Sequence, residues 1–242
     1  MARMPIFRPA AGRTATTPAG ITRLVAGHLP PAACGYVAEV VARQPLELTL
    51  SRPRRTKLGD HRPPSRGVSR HRITINDDLN PYAFLTTLLH EIAHAATWQR
   101  HRGRRRLRPH GPEWQVEFGG ILRPVVAAAF LPATVAAALA RSLERPAAAT
   151  CTDRELVLAL AEFDRPVAGR VRVESLAENS YFRIDRGTIF RAGPMLRSRR
   201  VCFQLPGGRE YRVHGLAIVE PVDPPAPAGR QRRARPGPGR RG

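Results

Sequence analysis

Residues 81–98 read PYAFLTTLLHEIAHAATW, and no other segment says as much about the structure of this chain. Asn80 and Pro81 predict a helix start, because Asn caps free N–H groups and Pro needs no N–H donor at the first helical position. Apolar residues then recur at the spacing of one buried helical stripe, at Leu85, Leu88, Leu89, Ile92 and Ala96. We therefore predict a helix from Pro81 to about Trp98.

The centre of this helix contains His90-Glu91-Ile92-Ala93-His94, an HExxH motif. Residues four apart on a helix point the same way one turn apart, so both imidazoles could bind a single Zn²⁺ with Glu91 beside them as a non-ligand base. The alternative is a pair of partly buried structural histidines. Burying two imidazoles and a carboxylate against Leu and Ile is costly without partners, and this favours the metal interpretation.

Composition limits the class of protein. A chain of 242 residues with 42% apolar content can bury a full core and predicts one main domain plus a small second unit. No apolar stretch approaches the roughly 18–20 residues that span a bilayer. Cys34, Cys151 and Cys202 are far apart and form no CxxC pair. This spacing argues against a disulfide framework or zinc ribbon and favours a reducing, cytoplasmic compartment.

The net charge of +21 favours a polyanionic partner, above all nucleic acid. A second explanation is a G+C-rich genome, because Lys57 is the only lysine and Arg, Ala, Pro and Gly are abundant. The densest run of arginines follows the motif helix, at Arg102, Arg104, Arg105, Arg106 and Arg108. It predicts either a solvated loop or a sequence-independent phosphate-binding rim; weaker candidates of the same kind are Arg54, Arg55 and the tail at 230–241.

Four regions are predicted along the chain. They are a disordered arm at 1–20, a main domain at 21–150, a helix plus small antiparallel β unit at 151–220 and a disordered basic tail at 221–242. In the main domain we predict strands at 46–50 and 71–76, a loop at 51–69 and a helix opening at Gly111-Pro112. Pro124 and Pro132 are expected to break the helical stretch that follows. Beyond it we predict a short helix at 153–163 and then several short strands.

A catalytic zinc site needs a third protein ligand. The spacing HExxHxxGxxH is excluded, because Thr97 and Arg100 stand where its glycine and third histidine would be. The remaining candidates after His94 are His101, His110 and a glutamate of the next helix, Glu113 or Glu117. Sequence spacing alone leaves these candidates open.

HEIAHA at 90–95 followed by HGPEW at 110–114 resembles the SprT-like zinc metalloproteases, of the bacterial SprT and Spartan type. The resemblance covers roughly Leu46 to Leu122, including the segments 48–55 and 73–76, and implies that His110 is the third ligand. In many members a zinc ribbon follows the domain, but here only Cys202 remains of the expected cysteines. The β unit is therefore expected to be degenerate, without a second zinc.

The resemblance implies an α+β fold: a zincin-like domain at 21–150, with a small β-sheet and the HExxH helix, then the β unit. It implies a metalloendopeptidase that hydrolyses peptide bonds through a water activated by one Zn²⁺, with Glu91 as general base and then acid. Glu113 is either a first-turn carboxylate or an orienting partner of a histidine. Expected partners are protein substrates and DNA, with no membrane; association with the nucleoid is the alternative to a freely cytoplasmic location. Other possible functions are a nucleic-acid-associated zinc protein without proteolytic activity and a small-molecule zinc hydrolase.

Overall fold

The computed structural model describes residues 12–54, 57–101, 107–144, 153–184 and 187–225. The fold is mixed α+β with two sheets, as predicted, and divides into two compact units, Met1–Arg165 and Pro166–Gly242. The division falls near residue 165 rather than 150, because the helix at 154–161 contributes Leu156 and Ala159 to the core of the first unit. Among the described residues, no helix is long and apolar enough to cross a membrane.

The first unit combines four strands with six α-helices in the part of the chain that is described. In chain order they are β1 (Arg13–Ala15), α1 (Pro18–Val25), α2 (Cys34–Ala42), β2 (Leu46–Ser51), β3 (Gly59–Arg62), β4 (His71–Asn76), α3 (Pro81–Arg100), α4 (Pro112–Ala127), α5 (Ala133–Glu144) and α6 (Arg154–Ala161). The strands form one sheet in the order β1-β2-β4-β3. β2 and β4 run parallel, whereas β1 and β3 pair antiparallel to their neighbours.

Helix α3 is the central helix of this unit and is buried on most of its faces. Its start follows the predicted chemistry, since the Asn80 side chain accepts hydrogen bonds from the N–H groups of Tyr82 and Ala83. The amide nitrogen of Asn80 also donates to the carbonyl of Leu160 at 2.9 Å and to Asp164 at 2.6 Å. One capping residue therefore ends the loop after β4 and ties α6 to the start of α3.

The predicted loop at 51–69 is wrong in its middle, because residues 59–62 form the edge strand β3. The loop between β2 and β3 is folded onto the sheet by Arg54 and Asn76. Arg54 donates to the Asn76 side chain at 2.8 Å and to the carbonyl of Thr74 at 3.0 Å, and Asn76 donates back to the carbonyls of Arg54 and Lys57. These bonds fix the start of β3 beside α3.

Two other predictions need correction. Residues 13–20 do not belong to a disordered arm, because β1 pairs with β2 and α1 begins at Pro18 with Thr17 as its cap. Pro124 does not break α4, which continues to Ala127. A proline removes the hydrogen bond to the carbonyl four residues earlier, and here that carbonyl belongs to the exposed Gly120, where water can replace the lost donor.

The second unit is an antiparallel sheet in the order β5-β10-β6-β7-β8-β9. Its strands are β5 (Val171–Arg172), β6 (Tyr181–Ile184), β7 (Thr188–Met195), β8 (Arg199–Leu205), β9 (Glu210–His214) and β10 (Ile218–Val222). Seven buried residues make its own small core, with Phe182, Phe190 and Cys202 among them. β10 takes up Pro221 and Val222, which we had assigned to the tail, and residues 226–242 lie outside the described residues.

Candidate metal centre

Three histidine side chains meet at one point on the surface of α3. The Nε2 atom of His94 lies 3.2 Å from Nε2 of His90 and 3.2 Å from Nε2 of His110, and the His90–His110 distance is 3.0 Å. His90 is buried and the other two rings are half-buried. Among the described residues, these three form the group of His, Cys, Asp and Glu side chains that could hold a metal ion.

Hydrogen bonds among the rings cannot account for this arrangement. A neutral imidazole carries one N–H, which points along a single direction in the ring plane, so three nitrogens in mutual contact leave lone pairs facing one another. A cation at their common focus would remove that repulsion. Tetrahedral zinc binds imidazole nitrogens at about 2.0–2.1 Å, which separates two such nitrogens by about 3.3 Å. The observed 3.0–3.2 Å therefore fits one zinc ion held by three ligands.

Helix α3 supplies two of the nitrogens and the loop before α4 supplies the third. His90 and His94 are one turn apart on α3, as their spacing predicts. His110 has φ of 60°, a left-handed conformation that only a few per cent of non-glycine residues adopt. Gln115, one turn into α4, donates from its side chain to the carbonyl of His110 at 3.0 Å. Strain of this kind persists where the surroundings hold the residue in place, and it clusters at functional sites.

An aromatic platform supports the three rings. The indole of Trp114, which is 3% exposed, has its centroid 4.7 Å from His90, 5.4 Å from His94 and 4.7 Å from His110. Phe118, one turn further along α4, stacks on Trp114 at 4.6 Å. No local motif of the sequence predicts that these two residues contact the histidines. The platform limits ring rotation and keeps bulk water from one side of the centre.

Glu91 is buried beside this centre, with 7% of its surface exposed. Burial is the main reason that its pKa rises from 4.5 to about 7; Asp60 adds to the rise, whereas Arg54 and Lys57 oppose it. The edge strand β3 approaches the carboxylate so closely that a methyl group at Gly59 would lie 2.5 Å from Glu91 Oε1. A side chain at position 59 would therefore clash with Glu91, and the carboxylate is confined between α3 and β3.

The three histidines are held in the form that binds metals. Burial lowers the pKa of His90 and of His94 to about 3, and the neighbouring imidazoles add to this effect. Burial also lowers the pKa of His110. All three rings are consequently neutral near pH 7, so that their nitrogen lone pairs are available to a cation.

Sequence reasoning missed a second pair of histidines. His61 on β3 stacks on His94 with ring centroids 5.9 Å apart and an interplanar angle of 8°. Its Nε2 lies 2.9 Å from Nδ1 of His71, a fully buried residue of β4 whose ring packs edge-on against Trp98 at 5.1 Å. Only the pairing of β3 with β4 brings these residues together, so no local motif could have revealed them.

The other candidate third ligands are not part of the cluster. His101 caps the end of α3, two turns beyond His94 and about 10 Å along the axis. Glu117 forms an ion pair with Arg100 at 3.0 Å. Glu113 lies in the first turn of α4 with a carboxylate oxygen beside Gly111, and its orienting role stays a prediction.

The predicted nucleic-acid contacts fall mostly outside the described residues. This applies to Arg102, Arg104, Arg105, Arg106, Arg55 and the tail at 230–241. Arg108 is exposed on the loop before His110. Arg54 is engaged within the fold, as described above.

Comparison with known protein families adds a finding that is independent of this geometry. Residues 36–124 match the SprT-like family. The matched segment runs from α2 into α4 and includes His90, Glu91, His94 and His110. The resemblance noted in the sequence is thereby confirmed for this segment. Comparisons with curated proteins and with solved structures give no significant match.

The SprT-like segment and the metal centre coincide. The segment contains β2, β3 and β4, the whole of α3, the loop that carries His110 and most of α4, which together carry every residue of the centre. The N-terminal elements, α5, α6 and the second unit lie outside the match. The family match therefore covers the residues of the metal centre. It gives no information about the second unit, which has to be interpreted from its own residues.

Proposed function

We propose that the protein is a zinc-dependent metalloendopeptidase with His90, His94 and His110 as ligands and Glu91 as general base. The observation that carries the proposal is the convergence of three Nε2 atoms at 3.0–3.2 Å beside a buried carboxylate. The match of residues 36–124 to the SprT-like family supports it. By this proposal the first unit is a zincin-like domain built around the HExxH helix.

A purely structural zinc site is less well supported. Structural zinc is usually closed by four protein ligands, whereas catalytic zinc keeps one position open. In the described part of the chain the cluster contains three histidines, which leaves such a position for water or substrate. A carboxylate held at considerable cost beside that position also has no use in a structural site.

In the proposed reaction the metal would supply Lewis acidity, and a side chain of the protein would transfer the proton. A bound zinc ion would supply Lewis acidity toward water and a peptide carbonyl. Glu91 accepts a proton from the attacking water as its oxygen forms a bond to the carbonyl carbon. The same carboxyl group then gives the proton to the leaving nitrogen as the C–N bond breaks. The pKa of about 7 of Glu91 in the metal-free site suits a group that must both take up and release a proton.

The edge strand favours a polypeptide substrate over a small molecule. β3 is the last strand of its sheet, so one side of its backbone is available to an added extended chain. Gly59 and His61 of this strand lie against Glu91 and His94. A peptide paired with β3 would therefore run past the metal centre.

We also propose sequence-independent contact with DNA. The net charge of +21 and the exposed Arg108 beside the His110 loop support this proposal. DNA would then concentrate DNA-associated proteins near the centre by charge attraction, which weakens as salt is added. Salt dependence of binding is the direct measurement.

The test compares purified wild type with Glu91→Gln, each incubated with a DNA-binding protein, with and without single- or double-stranded DNA. We expect zinc in both proteins and cleavage by wild type alone. Zinc in both with cleavage by neither would reject the protease and favour a zinc protein without proteolytic activity. Cleavage that ignores both DNA and salt would reject only the DNA contact.

A further inference from the structure

A pocket of about 570 Å³ lies between the end of α3 and the loop that joins β3 to β4. Among the described residues its lining combines apolar and polar side chains and includes no charged one: Pro45, Pro64, Ser65, Gly67, Val68, Ser69, Trp98 and Gln99. The volume is within the range of about 300–1,000 Å³ that is usual for ligand-binding pockets.

The pocket lies one helical turn beyond the metal centre along α3. Trp98 follows His94 by one helical turn, about 6 Å along the axis of α3. On the facing wall, Gly59 lies against Glu91 and His61 against His94, so that β3 runs alongside α3 in the same direction. The chain then leaves β3 and forms the wall of the pocket. The pocket therefore lies on the side of the metal centre toward which β3 and α3 both run.

The wall of the pocket is built to keep its shape. Within the loop, Ser65 and Val68 exchange two backbone hydrogen bonds of 3.0 and 2.9 Å around a tight turn. Gly67 occupies the turn with φ of 81°, a conformation that suits glycine. On the other side, Trp98 is braced edge-on by the buried ring of His71. A pocket formed in advance loses little entropy when a ligand side chain enters it.

We propose that this pocket binds a large apolar side chain, above all an aromatic one, that precedes the cleaved bond of the substrate. The proposal rests on the proposed peptidase function. The indole of Trp98, with Pro64 and Val68, gives such a side chain an uncharged surface to pack against. The net positive charge of the protein would otherwise favour acidic side chains. An antiparallel peptide runs opposite to β3, so its amino-terminal part passes the pocket before the chain reaches Glu91. The 6 Å between Trp98 and His94 corresponds to about two extended residues.

Two variants probe the pocket differently. Trp98→Ala removes the aromatic wall, and we expect the preference for Phe over Gly at the pocket position to fall by roughly tenfold or more. Gln99→Glu is nearly isosteric and places a carboxylate in the wall, so we expect a twofold to fivefold gain for Arg over Phe at low salt. Gln204→Glu, on β8 of the other unit, makes the same change of charge and should alter neither preference.

The experiment has a binding arm and a cleavage arm. In the first, fluorescein-labelled peptides that differ only in one residue (Phe, Leu, Arg, Asp or Gly) are titrated into zinc-loaded full-length Glu91→Gln, alone and with each pocket substitution, and anisotropy is recorded. In the second, the zinc-loaded wild type and pocket variants digest a peptide library, and mass spectrometry identifies the residues before each cut. Melting curves accompany every variant, so that Gln99→Glu decides the result if Trp98→Ala does not fold.

Preference for aromatic residues in both arms, changed by the pocket substitutions and not by Gln204→Glu, would support the proposal. Cleavage without preference at any position before the cut would overturn the pocket and leave the peptidase standing. Discrimination by binding without cleavage would support the side-chain pocket while rejecting the peptidase. Neither binding discrimination nor cleavage would overturn both.

Discussion

Replacement of Glu91 by glutamine should stabilise the metal-free protein increasingly as the pH rises above about 4.5. Glu91 is 7% exposed, and burial raises its pKa from 4.5 to about 7. The folded protein therefore retains a proton on Glu91 that the unfolded chain loses at lower pH. The contribution of Glu91 to the free energy of unfolding of wild type must fall as the pH rises from 4.5 through 7, and then level off. Glutamine has the same shape and no charge, so the variant lacks this loss.

The size of the effect follows from the same values. The rise of the pKa from 4.5 to about 7 corresponds to about 3 kcal/mol at roughly 1.4 kcal/mol per pH unit. Below about pH 4.5 the two proteins should have similar free energies of unfolding, and above about pH 8 the variant should be more stable by about 3 kcal/mol. His90 and His94 have lowered pKa values, which make both proteins lose stability as pH falls below 6.5; this contribution is common to the pair.

Urea unfolding with a chelator present, followed by circular dichroism at several pH values, measures the difference directly. Glu39→Gln removes an exposed carboxylate of α2 and serves as the matched control, with little expected change at any pH. If the free energies of unfolding of Glu91→Gln and wild type differ by the same amount at acid and alkaline pH, burial does not destabilise the ionised carboxylate. The description of Glu91 as a confined proton carrier would then be wrong.

The remaining predictions concern space, ligands and protons. Gly59→Ala should lower the rate of peptide cleavage by roughly a hundredfold, because the added methyl group displaces the carboxylate of Glu91, whereas Gly120→Ala on an open face of α4 should leave the rate unchanged. His110→Ala should weaken zinc binding by more than about a hundredfold in competition with a chromogenic chelator, and His101→Ala should not weaken it. Zinc binding near pH 7 should release more protons from wild type than from Glu91→Gln, since the cation favours the ionised carboxylate; calorimetry in buffers of different ionisation enthalpy measures the difference.

The parts of the centre that the sequence could predict depend on neighbouring residues. Asn80 and Pro81 define the start of α3 by hydrogen-bond chemistry, and the spacing of His90 and His94 follows from helical geometry. The opening of α4 at Pro112 follows the same rule. Local patterns of this kind need no knowledge of the rest of the fold, which is why the motif helix was predicted to within two residues at its end.

The parts that escaped prediction depend on contacts between distant residues. Residues 59–62 read GDHR, with none of the apolar alternation of a strand, and β3 is an edge strand whose His61 stacks on His94. Its position comes from hydrogen bonds between Arg54 and Asn76, which are 22 residues apart. The left-handed conformation of His110 is another example, since its sequence neighbours do not require it and Gln115 and the opposing rings hold it there.

The two charge patterns of this protein have different consequences for its chemistry. Outside the centre, the excess of arginine gives a net charge of +21, which acts over distance and weakens with salt. Inside it, burial keeps three imidazoles neutral and one carboxyl group partly protonated near pH 7, so the metal-free centre carries little charge of its own. A divalent cation entering this site gains three neutral donors at once and favours loss of the proton from Glu91. Metal binding and ionisation of the base are thus coupled, and the buried carboxyl group, partly protonated in the metal-free protein, would become fully ionised when a metal binds.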